Sequence, residues 1–168
     1  MATLNSEDQD YKSYFEIRAG EKFEQNVGDK VQTWQFFSLT IACGARVLSF
    51  TSPSEEKHDY EGFINDVTRV ADGYLVCRAS RDEIGRLVTG LEKFNRGELP
   101  KLLFEPVEPS FEFMLERQHE DEIRATVFVD EGNVLTEIAR WDALGLRFFT
   151  NQKAVRAFID ELKTEFGA

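Results

Sequence analysis

Apolar and polar residues alternate along several segments of the chain. In residues 111–117, the apolar residues Phe111, Phe113 and Leu115 alternate with Glu112, Met114 and Glu116. Residues 123–130 show the same period of two. This period is typical of strands that turn one face towards a core and the other towards water. Because short polar segments connect these strands, we predict antiparallel pairing between neighbours.

Further strands are predicted where aromatic and β-branched residues cluster. The segments with this composition are residues 13–18, 34–43, 46–51, 74–78, 101–104, 134–141 and 144–150. A hairpin turn is expected at Cys43, Gly44 and Ala45. Residues 19–30 are polar and contain two glycines, which predicts a loop. Residues 52–72 fit either a short helix or an irregular strand.

Two segments have the apolar spacing of one helical face. The first follows a capping-box pattern formed by Ser80 and Glu83, and the second follows a cap at Thr150 or Asn151. The apolar positions are Ile84, Leu87, Val88, Leu91 and Phe94 in the first segment and Val155, Phe158, Ile159 and Leu162 in the second.

Together these elements predict an α+β fold, in which a predominantly antiparallel sheet of about seven or eight strands carries two amphipathic helices on one face. Residues 1–11 are polar and charged, so we expect a flexible leader followed by a single α+β domain over residues 12–168. Two helices are few for so many strands. An apolar sheet face left uncovered would favour a homodimer or a tightly bound partner.

The overall charge of the chain indicates which classes of partner it can bind. The chain has 31 acidic and 20 basic residues, with a formal net charge of -11. Such a surface repels phosphate backbones and anionic lipids, so we expect neither nucleic acid nor a membrane surface as partner. The start of the chain lacks the apolar run of a secretion signal, and two isolated cysteines fit a reducing compartment. A cytoplasmic location is therefore expected.

The sequence carries no motif that specifies a chemistry. His58 and His119 lie in charged segments, and neither a nucleophile elbow nor a phosphate-binding loop occurs. Glu112 and Glu116 are expected about 13 Å apart on one strand, too far for a glycosidase pair. We therefore predict no enzymatic activity, no cofactor and no metal. A carboxylate-based hydrolase stays open as an alternative, since the sequence does not specify which carboxylates become neighbours on adjacent strands.

Acidic residues concentrate in two segments. Residues 52–72 have a net charge of -4 and residues 105–131 a net charge of -7. We predict that these segments bind a basic protein partner. The acidic residues assigned to this surface are Glu55, Glu56, Asp59, Glu61, Glu112, Glu116, Glu120, Asp121 and Glu122. The aromatic residues that would anchor the partner are Tyr60, Phe63, Phe111 and Phe128. The alternative is an adaptor or structural domain whose acidity serves solubility.

The C-terminal half has a characteristic order of elements. These are a strand and helix over residues 74–94, an F-x-F strand at 111–113, an alternating strand at 123–129, then Trp141 and a strand at 146–148 before a helix at 155–162. This order, with a likeness over residues 12–166, resembles the WapI-type immunity proteins, small acidic cytoplasmic proteins that bacteria keep against wall-associated or contact-dependent toxins. The resemblance implies a non-catalytic protein that binds and neutralises a cognate toxin, of a basic, nuclease type. It implies no catalytic residue.

Overall fold

A computed structural model describes residues 1–8, 10–52, 66–70, 73, 75–79, 82–119, 121–130, 134 and 143–168, with backbone alone for residues 66–70. The helices within these residues are α1 (Glu83–Asn95) and α2 (Gln152–Phe166). The strands are β1 (Ala2–Asn5), β2 (Ser13–Val27), β3 (Lys30–Cys43), β4 (Arg46–Phe50), β5 (Asp66–Val70), β6 (Val76–Cys77), β7 (Lys101–Phe104), β8 (Phe111–Arg117), β9 (Ile123–Asp130) and β10 (Ala143–Thr150). The predicted α+β class is confirmed.

The strands form two sheets instead of the single sheet that was expected. Sheet A has the order β1-β2-β3-β4-β5, with β6 paired to β3, and sheet B has the order β10-β9-β8-β7. Strand pairs within the described residues are antiparallel except β4 and β5, which run parallel. Two sheets allow each to bury its apolar face against the other, which a single sheet with two helices could not do.

The core is centred on the ring of Phe15, a β2 residue with no exposed surface. Its centroid lies 5.4 Å from that of Phe113 and 5.9 Å from that of Phe111, both on β8. It also lies 6.0 Å from the ring of Phe158 on α2. One side chain therefore joins sheet A, sheet B and a helix, and aromatic pairs at these distances add to the free energy gained by burial.

Both helices bury the faces that their spacing predicted. The cap of α2 is confirmed, because the Asn151 side chain accepts a hydrogen bond from the Ala154 amide at 2.9 Å. The cap of α1 was predicted wrongly. The N-cap is Asp82, with left-handed backbone at φ 49°, and its carboxylate accepts from the Gly85 amide. Ser80 lies outside the described residues.

The loop predicted over residues 19–30 is instead the outer half of a long hairpin. Strands β2 and β3 pair as far as Val27 and Lys30, with a turn at Gly28, whose φ is +61°. Residues 24–31 are exposed throughout. A ribbon exposed on both faces needs no alternation of apolar residues, which explains why the period-two signal is missing.

The leader predicted over residues 1–11 is also wrong for its first part. Strand β1 pairs with β2, and the side chains of Ala2 and Leu4 are completely buried. The Thr3 amide donates to the Glu161 carboxylate on α2 at 2.7 Å, and Thr150 donates to the Asn5 carbonyl at 2.8 Å. The strand is too short for its alternation to be recognised in the sequence.

Three other predictions are tested only in part. Of residues 52–72, the structure describes residue 52 and the strand β5, which pairs in parallel with β4. Of the strand predicted at residues 134–141, only Val134 is described; it is buried and has helical backbone, so the prediction is wrong at this residue. The strand predicted at residues 74–78 is reduced to β6, which pairs with the middle of β3.

Replacing Leu4 tests whether β1 is an integral part of the fold. We expect Leu4→Ala to lower the free energy of unfolding by about 2–5 kcal/mol, because it leaves a cavity in a fully buried position. Urea unfolding followed by tryptophan fluorescence measures the change. Asn5→Ala, at an exposed position of the same strand, is the matched control and should change stability by less than about 0.5 kcal/mol. Equal effects of the two variants would argue for a loosely attached segment.

Candidate protein-binding surface

The outward face of sheet B combines carboxylates with apolar and aromatic side chains. On β8 and β9 the inward positions Phe113, Leu115 and Val127 have no exposed surface. The positions between them therefore point away from the core. Register places Glu112 opposite Phe128 on this face.

Glu116 lies on the same face but has its charge compensated. It stands opposite Arg124 on β9, and the two side chains form an ion pair with each about one-third exposed. On its other side Glu116 stands opposite Lys101 of β7. A basic partner would have to compete with these cations. The Glu116 carboxylate thus attracts a basic partner less strongly than its position in an acidic segment indicates.

Glu112 has a different environment. It stands opposite an aromatic ring, and within the described part of the chain no cation pairs with it. It lines a cavity of about 280 Å³ where sheet B meets the connection from β7 to β8. The described residues that line this cavity are Glu105, Pro109, Phe111, Glu112, Phe128, Asp130 and Ala143.

The aromatic anchors predicted from the sequence divide between core and surface. Phe111 is 2% exposed and packs against Phe15, so its ring belongs to the core even though it borders the cavity. Phe128 is half-buried on the outward face and is available to a partner. Tyr60 and Phe63 lie outside the described residues.

A glycine makes room for the Phe128 ring. Gly145 on β10 stands directly opposite Phe128, and a Cβ atom built on it would lie 2.5 Å from two ring carbons. The ring therefore packs against the space that a side chain at this position would occupy, although Gly145 itself stays exposed. Glu112 and Gly145 occupy the two sides of the same aromatic residue.

The other predicted acids lie elsewhere. Asp121 and Glu122 are in the turn from β8 to β9, at the opposite end of β8 from Glu112. Five residues of strand, about 17 Å, separate Glu112 from the last residue of β8. Asp121 lines a polar cavity of about 550 Å³ together with Lys153 and Arg156. The acidic residues outside the described part of the chain are Glu55, Glu56, Asp59, Glu61 and Glu120.

The structure thus does not bring the described members of the predicted set into one cluster. It brings Glu112 together with Glu105 and Asp130, which the predicted set omitted. Both residues belong to the acidic segment 105–131, so their charge was visible in the sequence. Their proximity depends on strand register and on the course of the connection from β7 to β8, which the composition does not reveal.

A fully buried carboxylate outside this surface has a structural role. Glu83, the first residue of α1, is 1% exposed. Its two oxygens accept hydrogen bonds from the Arg78 amide at 2.6 Å and the Val107 amide at 3.0 Å, and Arg86 donates to it at 3.2 Å. These donors occupy the carboxylate, and they tie the start of α1 to the chain on both sides of the helix.

The remaining groups that could take part in chemistry are histidines and cysteines. In the part of the chain that the structure describes, no group of three or more His, Cys, Asp and Glu residues could hold a metal ion. His119 is exposed, and His58 lies outside the described residues. No helix among those residues is long and apolar enough to cross a membrane. Burial raises the pKa of the Cys77 thiol to about 12, whereas Cys43 is exposed.

We expect Glu83→Ala to lower the free energy of unfolding by about 2–5 kcal/mol, because two backbone amides lose their acceptor. The matched control is Glu92→Ala on the same helix. Glu92 is bound to Lys163 at 2.5 Å on the surface, and its loss should cost less than about 1 kcal/mol. Urea unfolding distinguishes the two. Similar losses in both variants would contradict the structural role of Glu83.

The two cysteines should differ in reactivity towards a thiol reagent. In the native protein at about pH 8 we expect Cys43 to react and Cys77 to react only after unfolding, because the Cys77 thiolate is disfavoured by burial. The raised pKa also has a consequence for stability. Neutral Cys77 stabilises the fold below pH 9.0, its ordinary pKa, and this contribution declines as the pH rises towards about 12. Rapid labelling of both thiols would contradict the buried position of Cys77; Cys43→Ser identifies which thiol reacts.

Comparison with protein families identifies a match over the segment that contains this surface. The family model of the WapI-like immunity proteins matches residues 67–168, which include both helices and all of sheet B. No curated protein and no solved structure is significantly similar to the chain. The resemblance expected from the order of elements is confirmed for this segment, which is more than half of the chain. The chain belongs to the WapI-like immunity protein family.

Proposed function

We propose that this chain neutralises a toxin by binding it, without catalysing a reaction. The observation that carries the proposal is the family match, because an immunity protein requires a toxin as its partner. The matched residues 67–168 include the whole outward face of sheet B. This face is therefore the first candidate for the contact.

The charge of the chain supports a basic toxin. A net charge of -11 attracts a basic partner from a distance and selects against acidic ones. Within sheet B we assign the attraction to Glu112 and its acidic neighbours, with Glu116 contributing less because of Arg124. Further acids in the proposed surface are Asp121 and Glu122 and, outside the described residues, Glu55, Glu56, Asp59, Glu61 and Glu120.

A nuclease-type toxin fits this charge best. An enzyme that cleaves nucleic acid needs a basic cleft for the phosphate backbone. An acidic protein seated there would exclude the substrate. The proposed place of this inhibition is the cytoplasm of the cell that makes both proteins, with no contact between this chain and nucleic acid itself.

Apolar residues on the same face support a tight contact. Leu103 on β7 is 58% exposed and Phe149 on β10 is 49% exposed. We assign this area to the toxin and not to a second copy of the chain. A two-fold contact through this face would bring the carboxylates of one copy close to those of the other, which disfavours a homodimer.

The experiment is affinity capture from the source cells with the tagged chain, followed by co-expression. We expect to recover a basic protein that arrests growth when expressed alone and is harmless when this chain is expressed with it. The dissociation constant should rise at least about tenfold between about 50 and 500 mM salt, because the screening length shrinks.

Two results would count against the proposal. If no captured protein has a toxicity that this chain relieves, the assignment as a toxin-neutralising protein is wrong. If relief occurs but the toxin is acidic or the affinity is independent of salt, neutralisation stands and the electrostatic explanation is wrong.

A further inference from the structure

The cavity beside Phe128 has the shape and charge of a site for a single side chain. Its volume of about 280 Å³ corresponds to roughly nine water molecules at about 30 Å³ each, enough for a long side chain. Its wall is apolar at Pro109, Phe111 and Phe128. Such a recess on an otherwise extended sheet face is where one anchoring residue of a partner contributes most to binding.

The charge of the cavity specifies what kind of side chain it accepts. The carboxylates of Glu105 and Glu112 border it, and none of the described residues that line it is basic. Asp130 also borders it but has an interaction of its own. The contrast with Glu116 is informative, since that residue has its own cation in Arg124. At Glu112 the corresponding position across the strands holds the Phe128 ring, so no described side chain supplies a positive charge there.

We propose that this cavity receives an arginine side chain of the protein partner. A guanidinium is planar, donates hydrogen bonds to carboxylates on its edge and stacks on an aromatic ring with its face. The cavity offers carboxylates and the half-buried ring of Phe128, for which Gly145 leaves room. The proposal rests on the proposed function, in which the partner is a basic toxin, and it names the residue type that the toxin presents.

The position of the cavity agrees with this role. All the residues that define it lie between 105 and 145, inside the segment that matches the WapI-like family model. The long β2–β3 hairpin, the other conspicuous exposed element, lies outside that segment. Leu103 lies on the same sheet face opposite Met114, two residues along β8 from Glu112, so an exposed apolar side chain lies near the cavity.

Titration of the full chain with N-acetyl-L-arginine amide, followed by amide NMR shifts, tests the site directly. We expect saturable shifts at the amides of Glu112, Phe128 and Gly145. The neutral analogue N-acetyl-L-citrulline amide has nearly the same shape and should bind at least about tenfold more weakly, since it cannot form charge-assisted hydrogen bonds. No saturable shift at these amides up to about 50 mM arginine amide, or equal binding of the two compounds, would overturn the proposal.

A pair of variants on one strand separates the cavity from the general charge of the face. Glu112→Gln and Glu116→Gln remove the same charge from the same face of β8. We expect Glu112→Gln to weaken arginine amide binding about tenfold and Glu116→Gln to change it less than about twofold. Equal effects would show that only overall charge matters and would overturn the cavity as a site. The dispersion of the NMR spectrum confirms that each variant is folded.

The outcomes for the site and for the proposed function are distinguishable. If arginine amide binds as expected but the chain relieves the toxicity of no captured protein, the site stands and the proposed function is wrong. If the chain neutralises a toxin and Glu112→Gln leaves the affinity for that toxin unchanged, the proposed function stands and this cavity is not the point of contact.

Discussion

The packing of Phe15 against Phe111, Phe113 and Phe158 is the interaction on which the rest of the structure depends. These rings come from both sheets and from α2, and each is almost completely buried. Because they fill the space between the layers, the described strands before residue 67 are joined to the family-matched part by a shared core. The two parts therefore form one hydrophobic unit, and sheet A supports the inner side of sheet B.

This core also determines what the outward face can present. Once Phe113, Leu115 and Val127 are committed to the interior, the residues between them must point outwards. Register then decides which outward residues are neighbours, and it pairs Glu116 with Arg124 but Glu112 with Phe128. Two glutamates of the same strand thus acquire different electrostatic roles.

Much of the fold follows from sequence patterns, and the exceptions have physical reasons. Strands with one buried face, such as β8 and β9, and helices with one apolar face carry a period that the sequence displays. Strand β1 is too short for such a period, and the outer part of the β2–β3 hairpin is exposed on both faces. The charge of the candidate surface was also visible. Its arrangement around Phe128 was not, because that arrangement depends on pairing between residues distant in sequence.

The contacts of β1 and β2 with α2 bear on the order in which the chain can fold during synthesis. Thr3 bonds to Glu161, and the Ala19 amide bonds to the Glu165 carboxylate at 3.1 Å. The ribosome synthesises Glu161 and Glu165 about 150 residues after the strand residues that bind them. Contacts at such sequence separation are slow to form because long loops must close first. Sheet A must therefore wait, with its outer edge unsupported, until α2 has been translated, and a chain stalled before that point would expose apolar strands to chaperones and proteases.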